Sequence, residues 1–493
     1  MRIGFDHDKY TAMQSEHILN RIAKFGGKLY LELGGKLFDD THASRVLPGF
    51  RPDSKISMLL NLKDQAELVI AINADDIEKN KIRGDLGITY DTEVLRLIDA
   101  FRSIGMYVGS VVLTRWRDQH TALLFKQRLE SLGISVYRHF DIDGYPYNVK
   151  HIVSDEGFGK NEYVETSRPL VLVTAPGPGS GKMAVCLSQL YQDHQRGVQA
   201  GYAKFETFPI WNLSLKHPVN VAYEAATVDL DDHNMIDPFH LEAYGETTVN
   251  YNRDIEIFPV LDAVFKQIYG SSPYASPTDM GVNMVGNCII DDDICREAAH
   301  QEIIRRYYAA RCNLRKGQSE QSEVDKLELL LQKSGITDED RPVLAAARTR
   351  AEETGEPASA MQLPDGRIIT GKTTKLLGPS AALLLNVLKA LGGIDKSTHL
   401  ISPNVIEPIQ TLKCDYLGNH NPRLHTDEIL LALSICAATD EKAATAMKQL
   451  PLLKGCEAHS TVILGQVDNN VFKRLGVNLT CDPRYQTHKL YHK

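Results

Sequence analysis

The stretch Pro169–Tyr191, PLVLVTAPGPGSGKMAVCLSQLY, constrains this chain more than any other. Leu170 to Val173 form a short β-branched apolar run of the kind that makes a buried strand. A Gly/Pro turn follows, Ala175-Pro176-Gly177-Pro178-Gly179-Ser180-Gly181-Lys182, and then Ala184, Leu187, Leu190 and Tyr191 recur at helical spacing. A strand, a glycine loop, a lysine and a helix together aim backbone N–H groups and a helix N-terminus at a phosphate. Glycines let the loop take positive φ and let an anion approach. The loop departs from G-x-x-x-x-G-K-[ST] at two positions, with Pro176 for the first Gly and Met183 for the Ser/Thr that ligates Mg²⁺. It therefore reads as an anion cradle formed by Gly177, Gly179, Ser180, Gly181 and Lys182, with Mg²⁺ support weakened. The competing reading is a glycine turn that only packs a helix on a sheet.

Strands and helices alternate before this loop. Lys28–Leu33, Glu67–Ile72, Tyr107–Thr114 and Ile134–Arg138 read as strands, separated by amphipathic helices at 54–64, 92–104 and 120–132. Apolar strands alternating with helices mean a parallel sheet wrapped on both faces, Rossmann-like or P-loop-like. A second glycine turn, Gly34-Gly35, ends the first strand and leads to Lys36, Asp39, His42 and Arg45. Charges on a loop at the carboxyl edge of such a sheet lie where open α/β sheets bind ligands; a capped surface loop is the alternative. Arg115 and Arg117 flank Trp116 at another strand end and could clamp a carboxylate or phosphate; equally, they could be a solvated loop.

Beyond the loop, Lys204, Glu206, Glu224 and Asp229 flank short strand-like runs, including 219–229, and could reach the same pocket. Asp39 or Asp229 would serve as base or metal ligand, and Lys204 as a further catalytic group. Asp229, Asp231, Asp232, His233, Asp237, His240 and Glu242 are dense in oxygen donors suited to Mg²⁺ or Mn²⁺. A polar loop with Asx turns accounts for the same run. Residues 296–355 read as helices, and Pro364-Asp365-Gly366 as a hairpin turn. His399–Ile401 and Ser460–Leu464 read as strands, and Lys372, His399 and His425 are among the polar residues expected to face a cleft. The expected organisation is an α/β domain at 1–295, a helical segment at 296–357 and a smaller α/β domain at 358–493.

A net charge of −8 argues against a nucleic-acid surface, which needs a concentrated basic patch. The eight cysteines are scattered without a C-x-x-C pair, as in a reduced cytoplasmic protein. No window approaches the roughly eighteen apolar residues of a membrane span. No H-E-x-x-H occurs, and the third glycine of G-x-G-x-x-G would fall at Lys182, which disfavours a zinc hydrolase and a dinucleotide oxidoreductase.

KLYLELGGKLFDDTHASRVLPGF, LVTAPGPGSGKMAVCLSQLY and NVAYEAATVDL together resemble the bacterial domain-of-unknown-function 1846 (UPF0371) family, along the full chain. That resemblance implies an α/β N-terminal part, a helical middle and a smaller α/β C-terminal part, and carries over no catalytic residues. The expectation is an enzyme that binds a nucleotide or phosphorylated small molecule, with phosphoryl transfer or ligation among its fitting chemistries. A non-catalytic anion sensor or assembly protein is the alternative. The expected partners are an anionic small molecule and further copies of the chain through its helical segment, with no nucleic acid and no membrane.

Overall fold

The computed structural model describes residues 2–486 except 36, 39 and 85. Two compact units divide the chain, one covering Arg2–Ala298 and one beginning at Ala299.

The first unit is built on seven parallel strands: β1 (Leu29–Leu33), β2 (Ala66–Asn73), β3 (Tyr107–Trp116), β4 (Ser135–Phe140), β5 (Leu170–Thr174), β6 (Gly201–Phe205) and β7 (Gly281–Val282), in the order β7-β6-β1-β5-β2-β3-β4. Every residue of β1, β2, β5 and β6 is buried. That explains their near-continuous apolar runs, since helices cover both faces of a parallel sheet. One face packs Leu31, Leu172 and Ala203 under helices Ser54–Asn61 and Tyr90–Ser103. The other packs Tyr30, Val171 and Tyr202 under helices Lys182–Gln195 and Asn252–Tyr269.

The chain leaves β1 toward one face and the neighbouring β5 toward the other. Open α/β sheets bind their ligands at the carboxyl ends of two adjacent parallel strands whose connections diverge in this way. The two glycine turns follow β1 and β5.

The second unit holds four strands, β8 (Ala358–Gln362), β9 (Ile368–Lys372), β10 (Glu457–Ser460) and β11 (Asn478–Cys481), ordered β9-β8-β10-β11, with only β10 and β11 parallel. The Pro364-Asp365-Gly366 turn joins β8 and β9 as an antiparallel hairpin, as its turn chemistry predicts. Helix Pro342–Thr354 packs Val343 and Ala347 against Ala360 of this sheet, so the last of the mid-chain helices layers on the C-terminal strands. Leu384, Leu388, Ile429 and Leu433 lie in the unit's main apolar cluster.

Three strand expectations are corrected. Residues 219–229 form the helix Pro218–Ala226 and a short turn, because His217 accepts from the Val219 amide and Pro218 starts the helix. His399–Ile401 is irregular. The strand placed at Ser460–Leu464 instead ends at Ser460.

Candidate functional site

The loop after β5 is held from inside by two hydroxyls. Ser180 Oγ donates to the Gly177 carbonyl at 2.9 Å, and Thr114 Oγ1 on β3 donates to the Ser180 carbonyl at 2.9 Å. Gly179 and Gly181 take φ of +77° and +87°, a region costly for residues with a side chain. A Cβ at Gly177 would collide with the Tyr90 hydroxyl, and one at Gly181 would come within 3.0 Å of Thr114. Packing and backbone thus both demand glycine here.

Among the described residues, no protein acceptor takes a hydrogen bond from the amides of Gly177, Gly179, Gly181, Lys182, Met183 or Ala184. Helix Lys182–Gln195, which they open, has no side-chain cap. Its positive dipole end and free amides make a ready anion seat. Lys182 is half-buried, with no hydrogen-bond or ion-pair partner among the described residues. Met183 packs into the apolar cluster under the helix. The position that supplies a metal-binding hydroxyl in a standard P-loop holds a partly buried apolar side chain here.

Beside the loop, on the same face of the sheet, a buried ionic cluster lies near the strand ends. Glu32 on β1 and Lys204 on β6 are register partners. Lys204 Nζ donates to Asp254 Oδ1 and Oδ2, each at 2.7 Å, contacts Glu206 Oε1 at 2.9 Å, and also bonds the Tyr251 hydroxyl. Tyr251 in turn donates to Glu206 Oε1 at 2.6 Å, and Tyr202 donates to Glu32 Oε2 at 2.8 Å. Burial opposes the Lys204 charge, but Asp254 and Glu206 outweigh it, and its pKa is raised. Burial likewise pushes the Glu206 carboxyl up, with Lys204 pulling the other way and Asp254 adding to the rise. Lys204 is thus held as the ammonium, and the Glu206 carboxyl keeps a proton more readily than an ordinary glutamate. Burial and the charge of Glu32 also raise the Cys186 thiol of the loop's helix and push the Tyr145 phenol up to about 12. A cavity of ≈ 40 Å³ lined by Lys204, Glu206, Asp254 and Trp211 adjoins the cluster. It admits a few water-sized groups.

The structure brings together Gly177, Gly179, Ser180, Gly181 and Lys182 in one loop. It also places Lys204 on the face carrying the helix that this loop opens. Other expected residues fall elsewhere. Arg115 bonds Asp141 at 2.9 Å, and Arg117 pairs with Asp75 at 2.6 Å and Asp141 at 2.8 Å. Both exposed guanidinium groups are thus paired with Asp75 and Asp141. Arg45 is exposed in the last turn of helix Thr41–Val46, and Asp229 is exposed in the turn Val228–Leu230. Lys36 and Asp39 lie outside the described residues.

The oxygen-rich run 229–242 does not converge. Asp237 caps helix Pro238–Tyr244 and accepts from Thr278 Oγ1, Asp232 pairs with Arg253, and His240 Nδ1 bonds Ser276 Oγ. Among the described residues, no group of three or more His, Cys, Asp or Glu side chains is arranged to hold a metal ion.

Glu32, Tyr202, Tyr251 and Asp254 were not singled out from the sequence. The one local signal was Glu32, a carboxylate inside the apolar run KLYLEL.

These features define an α/β protein with a parallel sheet, a glycine loop at its carboxyl edge and a buried lysine–carboxylate cluster beside it. The chain belongs to the DUF1846 (UPF0371) family. The family model described as "Domain of unknown function DUF1846, N-terminal" covers residues 3–335, and its C-terminal counterpart covers 339–491. Similar proteins include a UPF0371 protein of Streptococcus pyogenes serotype M5 (strain Manfredo), 59% identical over 491 residues spanning 100% of this chain and 99% of the relative. Another is a UPF0371 protein of Corynebacterium urealyticum, 60% identical over 492 residues with the same coverage. Among the described residues, no helix is long and apolar enough to cross a membrane.

Proposed function

We propose that the N-terminal unit is an enzyme for a phosphate-bearing small molecule, a nucleotide or a phosphorylated metabolite, and that the phosphate sits on the loop 177–182. One observation carries this reading: the amides of Gly177, Gly179, Gly181, Lys182, Met183 and Ala184, without a protein acceptor among the described residues, and an unpaired Lys182 lie at the carboxyl end of a strand of the parallel sheet. A trianionic or dianionic group would satisfy donors that otherwise face only water. Glu206 would move the proton, since burial raises its carboxyl above the ordinary glutamate range, the direction a general acid or base needs. Lys204, locked by Asp254, would position Glu206 rather than attack substrate. Phosphoryl transfer and ligation both fit, with any Mg²⁺ held without help from residue 183.

The test is a thermal-shift panel of nucleotides and phosphorylated metabolites on wild type and Lys182→Ala. A ligand at a hundred times its Kd stabilises by about 2.7 kcal/mol. At least one should do so and lose most of the shift in Lys182→Ala. If every hit survives that change undiminished, the loop is not the site. Saturable binding without turnover, with the Glu206→Gln variant binding normally, would favour the sensor alternative.

A further inference from the structure

We propose that the C-terminal unit carries a second and separate ligand site, a pocket for a small anion with a short aliphatic body. The cavity measures ≈ 240 Å³ and lies among β9, helix Pro379–Leu391 and the segment 398–406. Drug-sized ligands occupy roughly 300 Å³ or more, so this space suits a smaller molecule.

Charge in the lining is of one sign. Arg350, Lys372 and Lys389 contribute to the wall, and no Asp or Glu does, although the chain as a whole carries −8. Lys372 is half-buried and has no hydrogen-bond or ion-pair partner among the described residues. Arg350 has Glu353 at 3.2 Å, an exposed pair that competes weakly with a ligand. Lys389 donates to the Lys396 carbonyl at 2.9 Å, and burial lowers its pKa while the nearby Asp395 carboxylate pulls it the other way. An incoming anion would compensate Lys372, the partly buried ammonium without a partner among the described residues, with Arg350 and Lys389 adding positive charge to the wall.

The remaining wall is aliphatic. Leu385, Leu400 and Ile406 give the body of the ligand an apolar surface. The wall is also braced. A Cβ at Gly371 would collide with the Leu383 backbone, so the helix presses directly on β9, and Asn386 Nδ2 donates to the Thr370 carbonyl at 3.0 Å. The anion-plus-alkyl chemistry is shared by carboxylates and phosphate esters.

The probes are n-butyl phosphate, butyrate and the neutral n-butanol, read by hydrogen-exchange mass spectrometry on the full chain. We expect slowed exchange at 370–377, 385–389 and 398–406 with one or both anions and none with n-butanol. Lys372→Gln should weaken that protection by about tenfold or more in ligand concentration, whereas Lys182→Ala should leave it unchanged. Protection by butyrate alone assigns a carboxylate, and by butyl phosphate alone a phosphate ester. Absence of protection at these segments with both anions overturns the proposal. So does equal protection by n-butanol, or protection undiminished in Lys372→Gln. Either result leaves the glycine-loop reading standing, because the test separates the sites by peptide.

Discussion

The two units each bury an ionic network, and the networks are built to opposite plans. In the C-terminal unit, Arg341 is fully buried and its guanidinium bonds Thr480 Oγ1, Gln301 Oε1, Glu457 Oε2 and the carbonyls of Ala458 and Asn478. Those bonds saturate all five of its N–H donors. Arg305 bridges Glu457 at 2.7 Å and Glu302 at 2.8 Å, and Arg306 also holds Glu302. Cations outnumber carboxylates there, and the forks tie β10 and β11 to the helices. In the N-terminal unit the balance is reversed. Glu32, Glu206 and Asp254 surround the single ammonium of Lys204, beside a cavity. A saturated network fixes shape, whereas a carboxylate-rich one next to open space can exchange a proton.

The largest predicted effect breaks the saturated network. Arg341→Met leaves Glu457 partly uncompensated and should cost the C-terminal unit about 3–5 kcal/mol. Both tryptophans, Trp116 and Trp211, lie in the N-terminal unit. Urea unfolding followed by fluorescence should therefore hold steady while exchange at 457–481 accelerates. A coincident fluorescence shift would mean that the two units unfold as one.

Lys204→Met should destabilise the N-terminal unit by about 2–4 kcal/mol at pH 8. The loss should shrink on acidification, because the abandoned carboxylates can then take up protons. A loss independent of pH would show that Lys204 acts through packing instead.

Acid also separates the units. His139 is 3% exposed, and burial lowers its pKa to about 4. Between pH 6.5 and 4 the unfolded chain binds a proton that the folded unit refuses, so stability falls by about 3 kcal/mol across that window. His139→Gln should flatten the dependence in fluorescence-detected melts. His425 runs the other way: its hydrogen bond to Asp468 raises its pKa. That contribution is fully present below pH 6.5 and is lost as pH rises through the folded value. Exchange at 425–436 should accordingly slow between pH 7.5 and 6.5.

The smallest effect falls at the loop itself. Lys182→Ala without ligand should change stability by no more than about 0.5 kcal/mol, since the side chain is partnerless. A larger loss would recast Lys182 as a structural residue.

The legible features were local ones. Apolar runs marked β1, β2, β3 and β5, turn chemistry marked the 364–366 hairpin, and the glycine loop announced itself. The pairing of Arg115 and Arg117 was not legible, because their carboxylate partners stand 26 and 42 residues away in sequence. Pro218 was the overlooked start signal of a helix within 219–229.

Periodicity and glycine placement determined by themselves that this chain builds a parallel sheet with a glycine loop and Lys182 after one of its strands. Those are properties of short segments, set by backbone sterics and the repeat of each element. Tertiary structure alone decided which charges are spent on one another and which face solvent. Lys204 meets Asp254 across 50 positions and Glu457 meets Arg305 across 152, and electrostatic pairing depends on distance through space.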